Sequence, residues 1–399
     1  MILGAGLFQL PAIRKAVELG YQVVTVDYLP ENVGHRYSHH YVNRSTTDLE
    51  GVYQAAEEHQ IDGICTFSSD VAVPTVGFVA EKLGLKGPTF SQTQTLSYKH
   101  KFREFLERQQ LPRPQFASGT NFADLDHSAQ NMTFPALCKP VDTSGSRGVT
   151  RLDHYDAKQL KEAFGYAQSF SRSDTVCLEQ FLEGIEVGGD ALFVNGKLIF
   201  IAVTNKYLRG FAVTGHSLPS LRSDNEIERV RQLIQKTCHA LGFKDGPINF
   251  DVMLGDEVDV VLEMSPRNGG NGIPIVIHRS TGVDIEQAAL QISVDDAISI
   301  NEHSTWLSAG SYVFGAKTEG EILAMTDEGI LQEKLPFLRY LHYTKTIGDT
   351  VVPYTHSGHL LGFSVFDLET PNAYESQVAQ IDQALNLKIG TPGPPEKST

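Results

Sequence analysis

Residues 248–254, Ile248-Asn249-Phe250-Asp251-Val252-Met253-Leu254, alternate apolar and polar side chains, as a half-buried strand does. Gly255-Asp256-Glu257 reads as a turn and residues 258–264 as the returning strand. A hairpin closing symmetrically about Glu257 sets Asp251 opposite Glu263. The first ninety residues have another rhythm. Short apolar runs before Gly4-Ala5-Gly6, over 22–27 and over 61–67 read as strands. Residues 10–19, 49–59 and 71–83 read as helices, the first with Pro11 in its opening turn and Gly20 at its stop. Strands alternating with helices predict an open parallel α/β sheet. Residues 99–110 form a helical stretch with Phe102, Phe105 and Leu106 on one face. Residues 134–140 read as a short strand bearing Lys139, and 176–182 as another. Asn195-Gly196 between 192–194 and 198–204 signals a hairpin. Residues 226–241 are an amphipathic helix stopped by Gly242, and 283–294 are helical. After about residue 303, strand-like pieces (311–316, 350–353, 361–366) sit among polar stretches, with a last helix near 375–385. This texture predicts a small α+β cap, followed by a disordered Pro/Gly/Lys-rich tail over 390–399.

Composition narrows the class. At 399 residues the chain has room for two or three domains, and 41% hydrophobic with 20% charged residues are globular values. No apolar run nears 18 residues, so no membrane partner is expected. The four cysteines are scattered without a Cys-x-x-Cys pair, which predicts a reducing, cytoplasmic setting and no structural zinc. A net charge of −15 argues against nucleic acid as a partner. A first strand of three residues is short, so native residues are expected upstream of Met1. No internal repeat is visible.

Candidate chemistry begins at the hairpin. Two carboxylates directly opposite repel each other, and a divalent cation that also holds phosphates reverses that sign. Two solvated acids on a surface hairpin are the alternative. Arg267 follows beside Gly269-Gly270, which lets backbone approach a ligand. The loop Asp142-Thr143-Ser144-Gly145-Ser146-Arg147-Gly148-Val149 offers amides and donors to phosphate, or is an ordinary flexible hairpin; it lacks the Gly-Lys-Ser/Thr ending of a P-loop. Gly4-x-Gly6 with Asp27 supplies half a dinucleotide fingerprint, but Gln9 replaces the third glycine. The better reading is a set of exposed amides, Gly6 included, holding an anionic substrate group at a helix N-terminus. Ser68-Ser69-Asp70 ends another strand of that sheet, where ligands of such sheets bind. Lys139, in an apolar strand, points to ligand contact. Lys99 competes with a solvated role and with Lys101, and Glu179 with a solvent-facing strand position. Lys206 and Arg209 bring two cations to a strand end. His35, His39 and His40 read as a solvated loop. His278-Arg279 either reaches substrate or caps a turn.

Taken in order, these pieces resemble the ATP-grasp superfamily over roughly residues 1–300. Lys99-x-x-Phe102-Arg103 before Pro112-x-Pro114 is similar to the family's first ATP-lysine segment. Phe134-Pro135 through Lys139-Pro140 and the loop to Gly148-Val149 resemble the second lysine and the phosphate cover. Glu179-Gln180-Phe181-Leu182 resembles the linker that meets adenine through its backbone, and Glu186 an acid near the ribose or metal region. Asp251, Glu263 and Arg267 resemble the metal and triphosphate segment. Three positions depart from the pattern: Asp251 where Glu is usual, Ser265 where Asn is frequent, and Gln180 where a second acid is common. Ser265 puts the geometry of a second metal in question.

The resemblance implies an α/β and α+β multidomain ATP-grasp fold. Its expected parts are an N-terminal Rossmann-like pre-ATP-grasp domain (1–90), an ATP-grasp small subdomain with linker helix (91–182), a metal-binding subdomain (183–302), a small C-terminal α+β cap (303–389) and the tail (390–399). It implies ATP and Mg²⁺, with Mn²⁺ an alternative. ATP is assigned Lys99, Lys139, Ser144, Ser146, Glu179 to Leu182 and Glu186, and the metal Asp251 and Glu263. Catalytic roles fall to Arg267, Lys139 and Lys206, and substrate contacts to Gly6, Ser69, Asp70, Arg267 and Asn271. The implied activity is ligation of a small carboxylate to an amine through an acyl phosphate, in the branch that includes biotin carboxylase, carbamoyl phosphate synthase and L-amino acid ligases. Alternatives are a carboxylase-like or carbamoyl-phosphate-synthase-like enzyme, a non-catalytic nucleotide-binding module and an NAD-dependent oxidoreductase. Oligomeric state stays open, the homodimer being the commonest homo-oligomer.

Overall fold

A computed structural model describes residues 1–390 of the chain. The expected tail therefore lies outside the described residues except for Gly390, which is a strand residue.

The first domain runs β1 (Ile2–Leu3), α1 (Leu10–Glu18), β2 (Val24–Asp27), β3 (His40–Asn43), α2 (Leu49–Glu58), β4 (Cys65–Thr66) and α3 (Val73–Leu83). Its sheet has the order β3-β2-β1-β4 and is parallel throughout, as the alternation of strands and helices predicts. The strand expected over 61–67 shrinks to β4, because its neighbour β1 offers only Ile2 and Leu3 for pairing. His35 corrects another expectation: it is buried, with its Nδ1 2.8 Å from Thr25 Oγ1, and anchors the 28–43 excursion against β2. His39, whose Nδ1 accepts from the Val23 amide, and His40, which opens β3, are exposed as expected.

Helices α4 (Phe90–Ser97) and α5 (Lys99–Arg108) lead into β5 (Phe116–Gly119), α6 (Phe122–Ala129), β6 (Ala136–Pro140), β7 (Thr150–Leu152), α7 (Ala157–Gln168) and β8 (Val176–Gln180). These strands form a small antiparallel sheet, β5-β8-β6-β7. Next come β9 (Ile185–Val194), β10 (Lys197–Arg209), β11 (Ala212–Leu218), α8 (Asp224–Leu241), β12 (Gly246–Leu254), β13 (Val260–Ser265), α9 (Ile273–Thr281) and α10 (Ile285–Ser293). Asn195 and Gly196, both with positive φ, make the β9–β10 turn. Ser223 and Glu226 form a capping box on α8, and Gly242 closes that helix in the left-handed region.

The remaining elements are β14 (Ala309–Gly315), β15 (Gly320–Ala324), α11 (Glu328–Lys334), β16 (Leu338–Tyr343), β17 (Thr350–Val351), β18 (Leu360–Asp367), α12 (Tyr374–Leu385) and β19 (Lys388–Gly390). Strands β14, β18 and β16 extend the large sheet, whose order is β13-β12-β9-β10-β11-β14-β18-β16, while β17-β15-β19 form a three-stranded sheet of their own, so the expected cap is joined to the body through the large sheet. The boundary expected at 302 thus falls within one sheet.

Alternation along the central strands assigns their faces. Ala191, Phe193, Ile201, Val203, Ile248 and Phe250 pack with residues of α4, α5 and α8. Leu192, Phe200 and Ala202 point the other way, onto α9 and α10. Asp190, Lys206, Asn249 and Asp251 share the second orientation by position along their strands. Polar side chains thus gather where that face meets the first domain. The bridge from Phe67 to Asn268 joins the two there. Among the described residues, no helix is long and apolar enough to cross a membrane.

Candidate functional site

Strands β12 and β13 pair Asp251 directly with Glu263. The hairpin is not symmetric: the register breaks just after Asp251, beyond the pair that matters. Both carboxylates line a cavity of about 300 Å³ with Lys206, His216, Asn249, Arg267, Asn271, Ser68 and Asp70. A second cavity of about 190 Å³ shares Asp251, Glu263, Lys206 and Ser144, and adds Lys99, Lys139 and Glu186. The two adjoin at the carboxylate pair.

Lys206 sits between two acids, its Nζ 2.7 Å from Asp251 Oδ1 and 2.5 Å from Glu186 Oε1, with a side chain only 5% exposed. Burial works to lower its pKa, but the two carboxylates outweigh it and raise it. Burial and the nearby Asp251 charge raise the Glu186 carboxyl, against the pull of Lys206. Gly188 makes room for this arrangement: a Cβ there would lie 2.9 Å from Asp251 Oδ1 and 3.2 Å from His216 Cε1.

Lys139 reaches the second cavity from β6, and its Nζ donates to Glu179 Oε1 at 2.7 Å. Glu179 is buried rather than solvent-facing. Burial alone would raise its carboxyl, yet Arg103 and Lys139 hold it down at about 2. Lys99 Nζ donates to the Thr143 carbonyl at 2.6 Å and stands 3.7 Å from Glu263. The 142–149 loop is docked. Ser146 Oγ donates to the Phe211 carbonyl, and the Ser357 amide donates to the Gly145 carbonyl, while Ser144 lines both cavities.

On the substrate side, Arg267 pairs with Asp70 at 2.6 Å, and its Nη1 donates to Asn249 Oδ1. Burial would raise the Asp70 carboxyl, but Arg267 holds it below its usual range, with help from the Ser265 hydroxyl. Asn249 Nδ2 donates to Asp190, which also accepts from the Gly269 amide. Burial raises Asp190 to about 6 against those hydrogen bonds. His216 is fully buried beside Thr204 Oγ1, and burial and Lys206 lower it to about 3, so it is a neutral group at the cavity. Sequence reasoning missed both Asp190 and His216. Each lies on a strand of mostly small or apolar residues, with no spacing motif around it to single it out.

Several expectations change. The Gly6 amide is not exposed, because it donates to Gln9 Oε1; the Ala5 amide donates to Asp27 Oδ2 and the Gly4 amide to the Val26 carbonyl. The Gly4, Ala5 and Gly6 amides are thus taken up within the first domain, and Gly6 offers no free N–H in this structure. Asp27 is likewise engaged and buried, which removes the ribose-binding role a dinucleotide site would give it. Ser68 lines the cavity rather than Ser69, while Asp70 and Asn271 do line it. Gln180, Phe181 and Leu182 line neither cavity. Gln180 Oε1 accepts from the Gln115 amide, and the Phe181 amide donates to Pro135. Arg209 and His278 are exposed, and Arg279 pairs with Asp367 on β18.

Among the described residues, no group of three or more His, Cys, Asp or Glu side chains is arranged to hold a metal ion by itself. A cation such as Mg²⁺ that also binds phosphates needs only one or two carboxylates from the protein. Asp251 and Glu263 fit as those two ligands, even though Lys206 takes one Asp251 oxygen.

A parallel α/β domain, a small antiparallel sheet and a large sheet, clasping a cleft of lysines and paired carboxylates, define the ATP-grasp fold. Residues 132–275 match the family described as the ATP-grasp domain, so the chain carries that domain. It is similar to the carbamoyl phosphate synthase large chain of Corynebacterium glutamicum, at 26% identity over 74% of this chain and 28% of that one. It therefore spans little more than a quarter of that relative. It is also similar to the L-arginine-specific L-amino acid ligase of Bacillus subtilis, at 22% identity over 81% of this chain and 79% of the relative. The crystal structure of an L-amino acid ligase from Bacillus licheniformis superposes with a TM-score of 0.83 over 98% of both chains, at 21% identity.

Proposed function

We propose that this protein is an ATP-dependent ligase that activates a small carboxylate as an acyl phosphate and joins it to an amine, releasing ADP and phosphate. The observation that carries the reading is the Asp251–Glu263 pair at the junction of two cavities, one lined by Lys99 and Lys139, the other by Arg267 and Asn271. That junction is where a nucleotide's terminal phosphate and a carboxylate meet if the lysine-lined cavity takes ATP and the Arg267-lined cavity the acid. A carboxylate oxygen forms a bond to the γ-phosphorus as the bond to ADP breaks. The amine nitrogen then bonds to the acyl carbon as phosphate leaves.

Both steps crowd anions together, so fixed cations offset the repulsion. Lys139 and Lys99 face the phosphates in this reading. Lys206 lies between the two sites, and Arg267, oriented by Asp70 and Asn249, faces the substrate carboxylate. A divalent cation on Asp251 and Glu263, Mg²⁺ or Mn²⁺, would supply charge neutralisation at the β- and γ-phosphates. The closed 142–149 loop excludes water from the mixed anhydride. Neutral His216 adds no charge to compete with these cations.

The test is ADP and phosphate release from Mg·ATP across a panel of carboxylates, each with and without a panel of amines. Release that depends on one carboxylate–amine pair supports the reading and names the substrates. Absence of any ATP binding refutes it.

A further inference from the structure

We propose that Arg103 is a positioning residue that offsets the Glu179 charge, so that the Lys139 charge stays uncancelled and in place at the nucleotide phosphates. The proposal rests on the ligase reading for its ligand, ATP. Arg103, on α5, is 1% exposed and heads the large fully buried side chains. Its Nε and Nη2 donate to both oxygens of Glu179, at 2.8 and 3.1 Å, and Nη2 also donates to the Leu262 carbonyl at 2.8 Å. Glu179 Oε1 accepts in addition from Lys139 Nζ. Lys139 lines the cavity of Lys99, Ser144 and Glu263; Arg103 does not.

Charge counting gives the first reason. Lys139 alone with a buried carboxylate would form a neutral pair, of little use to a polyanion. Adding Arg103 makes two cations and one anion, and the only member that reaches the cavity carries the surplus. Geometry gives the second. Leu262 precedes Glu263, and Lys99 lies four residues before Arg103, one helical turn away on the same face. One buried guanidinium thus ties α5, β8 and β13 together, the elements that bear Lys99, the partner of Lys139, and Glu263. Cost gives the third. Arg103 Nη1 has no hydrogen-bond partner, and buried ion pairs stabilise a fold little more than well-packed apolar side chains do. Stability alone does not account for the cluster.

A double-mutant cycle on affinity for a non-hydrolysable ATP analogue with Mg²⁺ tests this, using wild type, Arg103→Met, Lys139→Met and both together. Arg103→Met should weaken binding about tenfold in the wild-type background, as coupled neighbours do, and less than about twofold once Lys139 is gone. Adding Glu179→Gln to Arg103→Met should restore affinity toward wild type, because Lys139 then regains an uncancelled charge. This pair also removes both buried charges together and serves if Arg103→Met alone does not fold; thermal denaturation checks each variant. Equal losses in both Lys139 backgrounds, or no recovery with Glu179→Gln, would overturn the positioning role while leaving ATP binding intact. A wild-type protein that binds no analogue would overturn the ligase reading and this proposal together.

Discussion

Glu263→Gln separates a chemical role from a structural one, because it removes a charge with almost no change of shape. The structure limits what that charge contributes to stability. The Glu263 side chain is 45% exposed, and its ion pair, with Lys99, spans 3.7 Å. Two unit charges at that distance in water attract by about 1 kcal/mol, and exposed pairs realise only part of that after screening and side-chain ordering. Losing the like-charge opposition to Asp251 offsets some of the rest. Stability should therefore change by less than about 1 kcal/mol, or a few degrees of Tm at most. Catalysis should respond differently. Deleting one preorganised group that stabilises transition-state charge typically costs about 10²- to 10³-fold in kcat. The assay is ADP release at saturating Mg·ATP and substrates, with thermal unfolding of the same samples. Turnover within about twofold of wild type would refute the metal role of Glu263, since group removal of this kind costs far more. A loss of activity matched by a large fall in Tm would move the residue to a structural role.

Gly188→Ala should leave the fold nearly unperturbed but push the Asp251 carboxylate aside by a few tenths of an ångström. ATP turnover should fall roughly tenfold, since small misplacements of reacting groups are costly; unchanged kcat/KM would show that the pair tolerates the shift. Lys206→Met should destabilise the protein by about 3 kcal/mol at pH 7, because it strands two partly buried acids without their cation. The deficit should shrink in urea denaturation at pH 4, where the raised Glu186 carboxyl takes up a proton, and a pH-independent deficit would contradict the assignment. Glu179 gives the opposite pH signature to a raised acid. Its folded pKa, about 2, lies below its ordinary 4.5, so its contribution is full above pH 4.5 and is lost as pH falls through 2. Wild type should thus exceed Glu179→Gln by about 3 kcal/mol at neutral pH, and the gap should close in acid. A constant gap from pH 7 to 2 would argue that packing, not charge, sets the difference.

Local signals carried much of the fold. Alternation over 248–254 and the turn at 255–257 located the carboxylate hairpin, and the Asp251–Glu263 pairing survived an unforeseen register break because the break lies on the far side of the pair. Pro11, the glycine stops and the apolar periodicity located α1 and α8 within a residue or two. What stayed hidden depends on partners far apart in sequence. Arg267 meets Asp70 across 197 residues, and Asp190 meets the Gly269 amide across 79. No spacing rule predicts such contacts, and a lone Asp in an apolar strand looks the same whether paired or not. Gly6 shows a subtler limit. Gln9 reads simply as a missing glycine, yet it folds back to take the Gly6 amide and donates to the Phe67 carbonyl. The C-terminal strands were legible as strands, but alternation tells which face of a strand is buried and not which sheet it joins.

The placement of β14, β18 and β16 in the large sheet bears on how such a protein can be rearranged by evolution or in the laboratory. A chain cut near residue 302 would leave β11 as a raw edge, with the backbone of Gly215–Leu218 stripped of its partner. Such an edge invites pairing with another chain and aggregation. The same cut would remove Ser357, which grips the glycine loop over the cleft. The ATP-binding half therefore cannot be lent intact to a gene fusion at this seam. A viable recombinant must bring its own strand for β11 and its own latch for the loop.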